Sequence, residues 1–211
     1  MEFINPILQQ YAEAHTSAEL SLLQKINRDT HADVLRPRML SGHLQGRLLS
    51  MLSKMIQPEN ILEIGTYTGY SAICLAEGLA PGGKLVTLDI NEELENRVRA
   101  YFKDAKLDSV IDYRIGHAVE IIPQLNLLFD LVFIDADKRN YSTYADLVID
   151  KMPGGGYLLA DNVLWSGKVI EPDPDKDTQA ILDFNKKIVN DPRLECILLP
   201  VRDGIMIARK R

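Results

Sequence analysis

The chain has 211 residues, 46% hydrophobic and 26% charged, with a net charge of −6 from 24 basic and 30 acidic side chains. That length suits one domain with a sizeable core, and the composition excludes a disordered or collagen-like chain. The mild acidity argues against a nucleic-acid partner, which would call for a basic face.

No apolar run approaches the ~20 residues that span a bilayer. Residues 1–5 lack the basic-then-apolar layout of a secretory signal, so a cytoplasmic protein without membrane contact is expected. Cys74 and Cys196 make neither a disulfide framework nor a thiolate metal site.

The first sixty residues read as helices. Leu44, Leu48, Leu49, Leu52, Met55 and Ile56 recur at helical spacing until Pro58 ends the pattern. The stretch before them is broken at Arg36-Pro37, because the residue preceding a proline is pushed out of the helical region. Residues 1–58 are therefore expected to form a helical segment packed on a core of residues 59–211, where it would help shape an acceptor pocket.

From residue 61 the pattern changes. Apolar runs at 61–64, 84–88, 110–115, 130–134 and 157–160 alternate with segments of helical pattern at about 70–80, 91–106, 117–125 and 141–151. Near-continuous apolar strands separated by helices predict a parallel sheet covered on both faces. Two further runs, 196–201 and 205–208, are joined only by Arg202-Asp203-Gly204. So short a link permits a hairpin and no helical crossover, so the last strand runs antiparallel to its neighbour. The expected fold is α/β, a doubly wound seven-stranded sheet with a reversed edge behind N-terminal helices, and residues 171–177 form its one clear surface loop.

Ligands of open α/β sheets bind outside the carboxyl ends of the strands. The first strand runs into Glu63-Ile64-Gly65-Thr66-Tyr67-Thr68-Gly69-Tyr70-Ser71 and then a helix. The glycines let the backbone turn tightly and approach a ligand, and the helix N-terminus favours an anionic group. A nicotinamide-dependent oxidoreductase would share this loop, but the spacing Gly-x-x-x-Gly differs from the dinucleotide fingerprint.

The second strand ends at Asp89, suited either to accept hydrogen bonds from both ribose hydroxyls or to cap the helix opened by Asn91-Glu92-Glu93. The third ends at Gly116-His117-Ala118, small enough to admit an adenine edge, with His117 as a base, a cap or an exposed side chain.

The fourth strand, Leu131-Val132-Phe133-Ile134, runs straight into Asp135-Ala136-Asp137-Lys138-Arg139-Asn140-Tyr141, and the fifth runs into Asp161-Asn162. If both lie in the sheet, Asp135, Asp161 and Asn162 converge at one end. Two carboxylates and an amide oxygen are hard ligands suited to Mg²⁺ or Mn²⁺, and they leave positions open for water and a chelating substrate. The other reading of Asp161-Asn162 is a cap or turn. Lys138, beside such an ion and partly desolvated, would serve as a general base. Trp165, the sole tryptophan, offers a flat wall for an aromatic substrate or an anchor for its loop.

In these motifs the chain resembles the class I, cation-dependent O-methyltransferases that act on caffeoyl-CoA, catechols and related diols. The resemblance runs from about Met39 onward through Leu62 to Ser71, Asp135-Ala136-Asp137-Lys138, Asp161-Asn162-x-Leu164-Trp165 and the closing Leu199-Pro200-Val201-Arg202-Asp203-Gly204.

The resemblance implies a Rossmann-like methyltransferase core with S-adenosylmethionine as methyl donor. Glu63, Gly65, Tyr67 and Ser71 would hold its methionine portion with Ser41 nearby, Asp89 its ribose and Ala118 its adenine region. It further implies Asp135, at the donor's edge, with Asp161 and Asn162 as ligands of Mg²⁺ or a similar cation. Lys138 is the implied base, an aromatic diol the acceptor beside Trp165, and a homodimer the assembly. The chain departs from the pattern at Arg139, where members often carry an acid, and at Ser166, where plant members commonly have asparagine.

Overall fold

The computed structural model describes residues 5–211. Its strands are β1 (Asn60–Ile64), β2 (Lys84–Asp89), β3 (Ile111–Ile115), β4 (Leu131–Ile134), β5 (Tyr157–Asp161), β6 (Leu194–Leu199) and β7 (Ile205–Lys210). Its helices are α1 (Pro6–Ala14), α2 (Ser21–Asp33), α3 (Gly42–Ile56), α4 (Tyr70–Ala76), α5 (Glu95–Asp104), α6 (Ala118–Ile121), α7 (Tyr141–Ile149) and α8 (Lys176–Asn190). The strands form one sheet in the order β3-β2-β1-β4-β5-β7-β6, parallel except at β7. Among the described residues no helix is long and apolar enough to cross a membrane.

Successive side chains of a strand point to opposite faces, and both faces here are covered. Ile61, Leu131 and Phe133 pack with α2 to α5, whereas Leu62, Ile64, Val132 and Ile134 pack with residues of α6, α7 and α8. This double burial explains why the central strands read as near-continuous apolar runs, interrupted by Glu63 in β1 and Thr87 in β2.

Two features differ from the sequence expectation. The reversed strand is not the edge: β7 lies between β5 and β6 and is antiparallel to both, which leaves β6 outermost. The short hairpin link requires only that β6 and β7 run oppositely, and says nothing of which one meets β5. Residues 171–175 are an exposed loop as expected, but α8 follows at Lys176 where the sequence reading marked no helix. The Asp175 side chain accepts from Thr178 N at 2.8 Å and so caps α8, and Ile181, Phe184 and Ile188 bury its inner face.

The N-terminal helices share the core of one sheet face through Leu23, Ile26 and Leu49. Helix α3 approaches α4 closely, since a Cβ on Gly46 would lie 2.6 Å from the Tyr70 ring and 2.9 Å from Cys74 Sγ. An ionic cluster fastens the pair. Arg47 reaches both oxygens of Glu77 at 2.6 and 3.0 Å, while Lys54 at 2.8 Å and Ser50 at 2.7 Å add two more donors. Burial pushes the Glu77 carboxyl up, but these donors outweigh it and hold the group down at about 2.

A depressed folded-state value means that stability from Glu77 is complete above its ordinary 4.5 and is lost as pH falls towards 2. Glu77→Gln should lower unfolding free energy at neutral pH by about 1–2 kcal/mol, allowing for solvent screening. The same variant should flatten the stability–pH curve below 4.5 in urea titrations; an unchanged curve would refute the assignment.

Candidate active site

The β1–α4 turn is shaped by one backbone contact. Gly65 has φ +104°, and a Cβ there would sit 2.0 Å from the carbonyl oxygen of Asp135 at the end of β4. No side chain fits, so the loop after β1 and the loop after β4 are held edge to edge.

Glu63 lies just before this turn and is fully buried. Its Oε2 accepts from Thr87, whose hydroxyl also contacts Thr66 at 2.6 Å, while Oε1 has no hydrogen-bond partner. Burial pushes the Glu63 carboxyl up to about 8, against the opposing effect of Ser71 and Thr87, with the charges of Asp135 and Asp89 adding to the rise.

Asp89 does not cap the next helical turn, a role taken by Asn91, which accepts from Glu93 N at 3.0 Å. Asp89 instead accepts from Tyr67 N at 2.6 Å and Asn91 N at 2.9 Å, joining the loops after β1 and β2. Tyr67 itself is in the left-handed region at φ +49°, and its hydroxyl donates to Leu35 O at 3.1 Å. Ser71 and Ala118 are buried at the starts of α4 and α6, and Ser41 is buried immediately before α3. His117 is exposed ahead of α6 and its side chain caps nothing.

The ends of β4 and β5 meet as the apolar-to-acidic steps predicted. Lys138 Nζ, nearly buried at 9% side-chain exposure, donates to Asn162 Oδ1 at 2.8 Å, Asp135 Oδ1 at 3.3 Å and Tyr141 Oη at 2.6 Å. Tyr141 Oη in turn donates to the Asp161 carbonyl at 3.0 Å.

Asp161 is buried, with Oδ1 taking Asn162 N at 2.8 Å and Oδ2 taking Gln45 Nε2 at 2.7 Å. Burial and the nearby charge of Asp135 raise the Asp161 carboxyl above its ordinary range, opposed by Gln45, Asn162 and Arg202. Trp165 lies with its ring centroid 5.7 Å from Lys138 Nζ and packs partly on the core, as a loop anchor would. Arg139 points away and pairs with Asp177 at 2.6 Å.

Asp135 and Asn162 thus aim side-chain oxygens at one cationic atom, the Lys138 ammonium, with Asp161 beside them. Among the described residues no three His, Cys, Asp or Glu side chains form a metal-holding cluster. The donor set is two carboxylates and one amide oxygen, a composition that suits a hard cation keeping several waters.

Three contributors were not singled out from the sequence: Gln45, Arg202 and Tyr141. Gln45 is polar and fully buried on α3, and its signal was a polar residue inside the helical apolar pattern of residues 44–56. The loop after β5 has Asn162, Trp165 and Ser166 at positive φ and is held by the hairpin turn, with Leu164 N donating to Asp203 O at 2.9 Å.

The sequence profile of the O-methyltransferase family matches residues 13–211. A caffeoyl-CoA O-methyltransferase of Medicago sativa is 38% identical over 180 residues, covering 79% of this chain and 72% of that protein. The crystal structure of an O-methyltransferase from Bacillus cereus in complex with S-adenosylhomocysteine superposes with a TM-score of 0.91 at 31% identity, covering 97% of both chains. TomG from Streptomyces achromogenes, an O-methyltransferase of tomaymycin synthesis solved with S-adenosylmethionine, gives 0.90 at 28% identity over 96% of this chain and 95% of its own. With the sheet order, the glycine turn and the acidic strand ends, these matches establish that the chain belongs to the S-adenosylmethionine-dependent O-methyltransferase family.

Proposed function

We propose that this O-methyltransferase transfers the methyl group to one hydroxyl of a vicinal aromatic diol, using a divalent cation held by Asp135, Asp161 and Asn162 and Lys138 as the base. The observation that supports the reading is the Lys138 ammonium on Asn162 Oδ1 and Asp135 Oδ1, a positive charge held by side-chain oxygens where two strands end. The plant relatives named for caffeoyl-CoA favour the same acceptor chemistry, since a caffeoyl group is a vicinal aromatic diol.

Donor binding would draw on the other half of the rim. The unpartnered Glu63 Oε1 is free to accept from the donor's amino group, and Asp89 retains acceptor capacity for ribose hydroxyls. Gly65, Tyr67, Ser71 and Ser41 would enclose the methionine portion and Ala118 the adenine region. A bound Mg²⁺ or Mn²⁺ would supply Lewis acidity that favours the ionised form of a chelated phenol.

With a divalent cation in place of the ammonium on these oxygens, Lys138 as the neutral amine would take the hydroxyl proton at Nζ while Trp165 walls the aromatic ring. The acceptor oxygen then forms its bond to the methyl carbon as the carbon–sulfur bond breaks and sulfur keeps the electron pair. Holding both reactants in line can contribute up to roughly 7–11 kcal/mol towards the barrier reduction. A homodimer fits the exposed apolar residues Ile7, Leu8 and Tyr11 on α1, and light scattering would test it.

Lys138→Ala should lower kcat about 100-fold or more while leaving S-adenosylhomocysteine affinity near wild type. A near-wild-type rate would remove the base. Asp161→Ala should abolish methyl transfer to catechol-type diols, and excess chelator should do the same to the wild-type protein. Full activity in chelator would end the cation reading.

Glu63, with its carboxyl near 8, accepts the donor's ammonium most strongly once ionised, when the two groups form an ion pair. S-adenosylhomocysteine affinity should therefore rise with pH and level off near 8, with proton release at pH 7 seen by calorimetry in buffers of different ionisation enthalpy. Binding without proton release would contradict this.

A further inference from the structure

Asp161 Oδ2 has one donor, Gln45 Nε2 at 2.7 Å, and that amide has one further partner, Arg202 Nη1 on Gln45 Oε1 at 2.7 Å. Gln45 is fully buried and Asp161 is 4% exposed, so water does not substitute freely for either contact. A guanidinium can only donate and an ionised carboxylate can only accept. The amide between them therefore has a single orientation, carbonyl to Arg202 and NH₂ to Asp161. The partners lie far apart in the chain, on α3, at the end of β5 and in the hairpin turn.

We propose that Gln45 and Arg202 are positioning residues for Asp161, with Arg202 acting by anchoring the Gln45 amide at its oxygen so that its NH₂ stays aimed at the carboxylate. The inference rests on the cation reading above and deepens it. With the guanidinium gone, Gln45 Oε1 loses its donor, and the amide is no longer anchored behind the NH₂ that it presents to Asp161 Oδ2. Asp161 would keep only the Asn162 N–H on Oδ1 and lose its fixed direction towards a cation.

The backbone supplies a clean variant. Arg202 has φ +51°, where glycine is favoured, so Arg202→Gly removes the guanidinium without straining the hairpin. A purely structural role for Arg202 therefore predicts little change in this variant.

The test is Mn²⁺ affinity without substrate, measured by calorimetry and by quenching of Trp165 fluorescence, on wild type, Arg202→Gly, Gln45→Met and the double variant. Each single change should weaken Mn²⁺ binding about tenfold, the usual effect of removing a ligand's hydrogen-bond partner. The double variant should bind no more weakly than Gln45→Met alone, because Arg202 supports Asp161 through the amide, while its own positive charge opposes a cation and its contact with Leu40 O at 3.4 Å is long. Arg202→Lys, which still donates to Gln45 Oε1, should recover most of the affinity.

Losses that multiply in the double variant, or wild-type affinity in Arg202→Gly, would overturn the inference while leaving the cation site intact. A wild-type protein that binds no Mn²⁺ would overturn the cation reading and this inference together.

Discussion

Glu63, Asp89, Asp135 and Asp161 stand at or near the carboxyl ends of neighbouring strands, where the parallel topology that buries their chain segments also gathers their negative charge. The repulsion is visible in the carboxyls of Glu63 and Asp161, both displaced upward by burial and then by Asp135. Each acid is held by a different device. Thr87 serves Glu63, backbone N–H groups serve Asp89, the Lys138 ammonium serves Asp135, and Gln45 with Asn162 N serves Asp161. A rim under this tension favours positively charged visitors, which is the electrostatic character of a sulfonium donor and of a divalent ion.

Charge alone would not align the two halves of the rim. The contact between Gly65 and the Asp135 carbonyl does so at the level of backbone, and Asp89 ties the β1 loop to β2 by accepting from Tyr67 N. The N-terminal helices take part as well. Helix α3 is locked to α4 through Gly46 and the Glu77 cluster, and from that fixed base it sends Gln45 to Asp161.

Much of this was legible in the sequence because the relevant signals are local. Strands buried on both faces are apolar nearly throughout, so β1, β2, β4 and β5 stood out despite Glu63 and Thr87, and the abrupt switch to Asp135 and Asp161 marked where their acidic ends meet. Helix α8 was obscured because its cap, Asp175, sits inside a Pro- and Asp-rich stretch that reads as loop, although Ile181, Phe184 and Ile188 carry helical spacing. The insertion of β7 beside β5 had no local signal, since a three-residue link constrains only direction. The contacts of Gln45 and of Arg202, a residue read only as part of the hairpin link and the closing motif, were hidden in a similar way. Their significance lies in partners 116 and 157 residues away, and neither residue type is distinctive by itself.

The position of β7 has a bearing on biosynthesis. A ribosome delivers β5 long before β7, so the flank of β5 that β7 will occupy stays open while α8 and β6 emerge, and β6 has no place of its own beside β5. The short turn lets β6 and β7 pair with each other first and dock as a unit, an arrangement that keeps the final loop closure small. Because the turn also carries Arg202, Asp203 and Gly204, the contacts of Arg202 with Gln45 and of Asp203 with the Trp165 loop require the hairpin. A growing chain is thus without a finished catalytic edge until its hairpin is made.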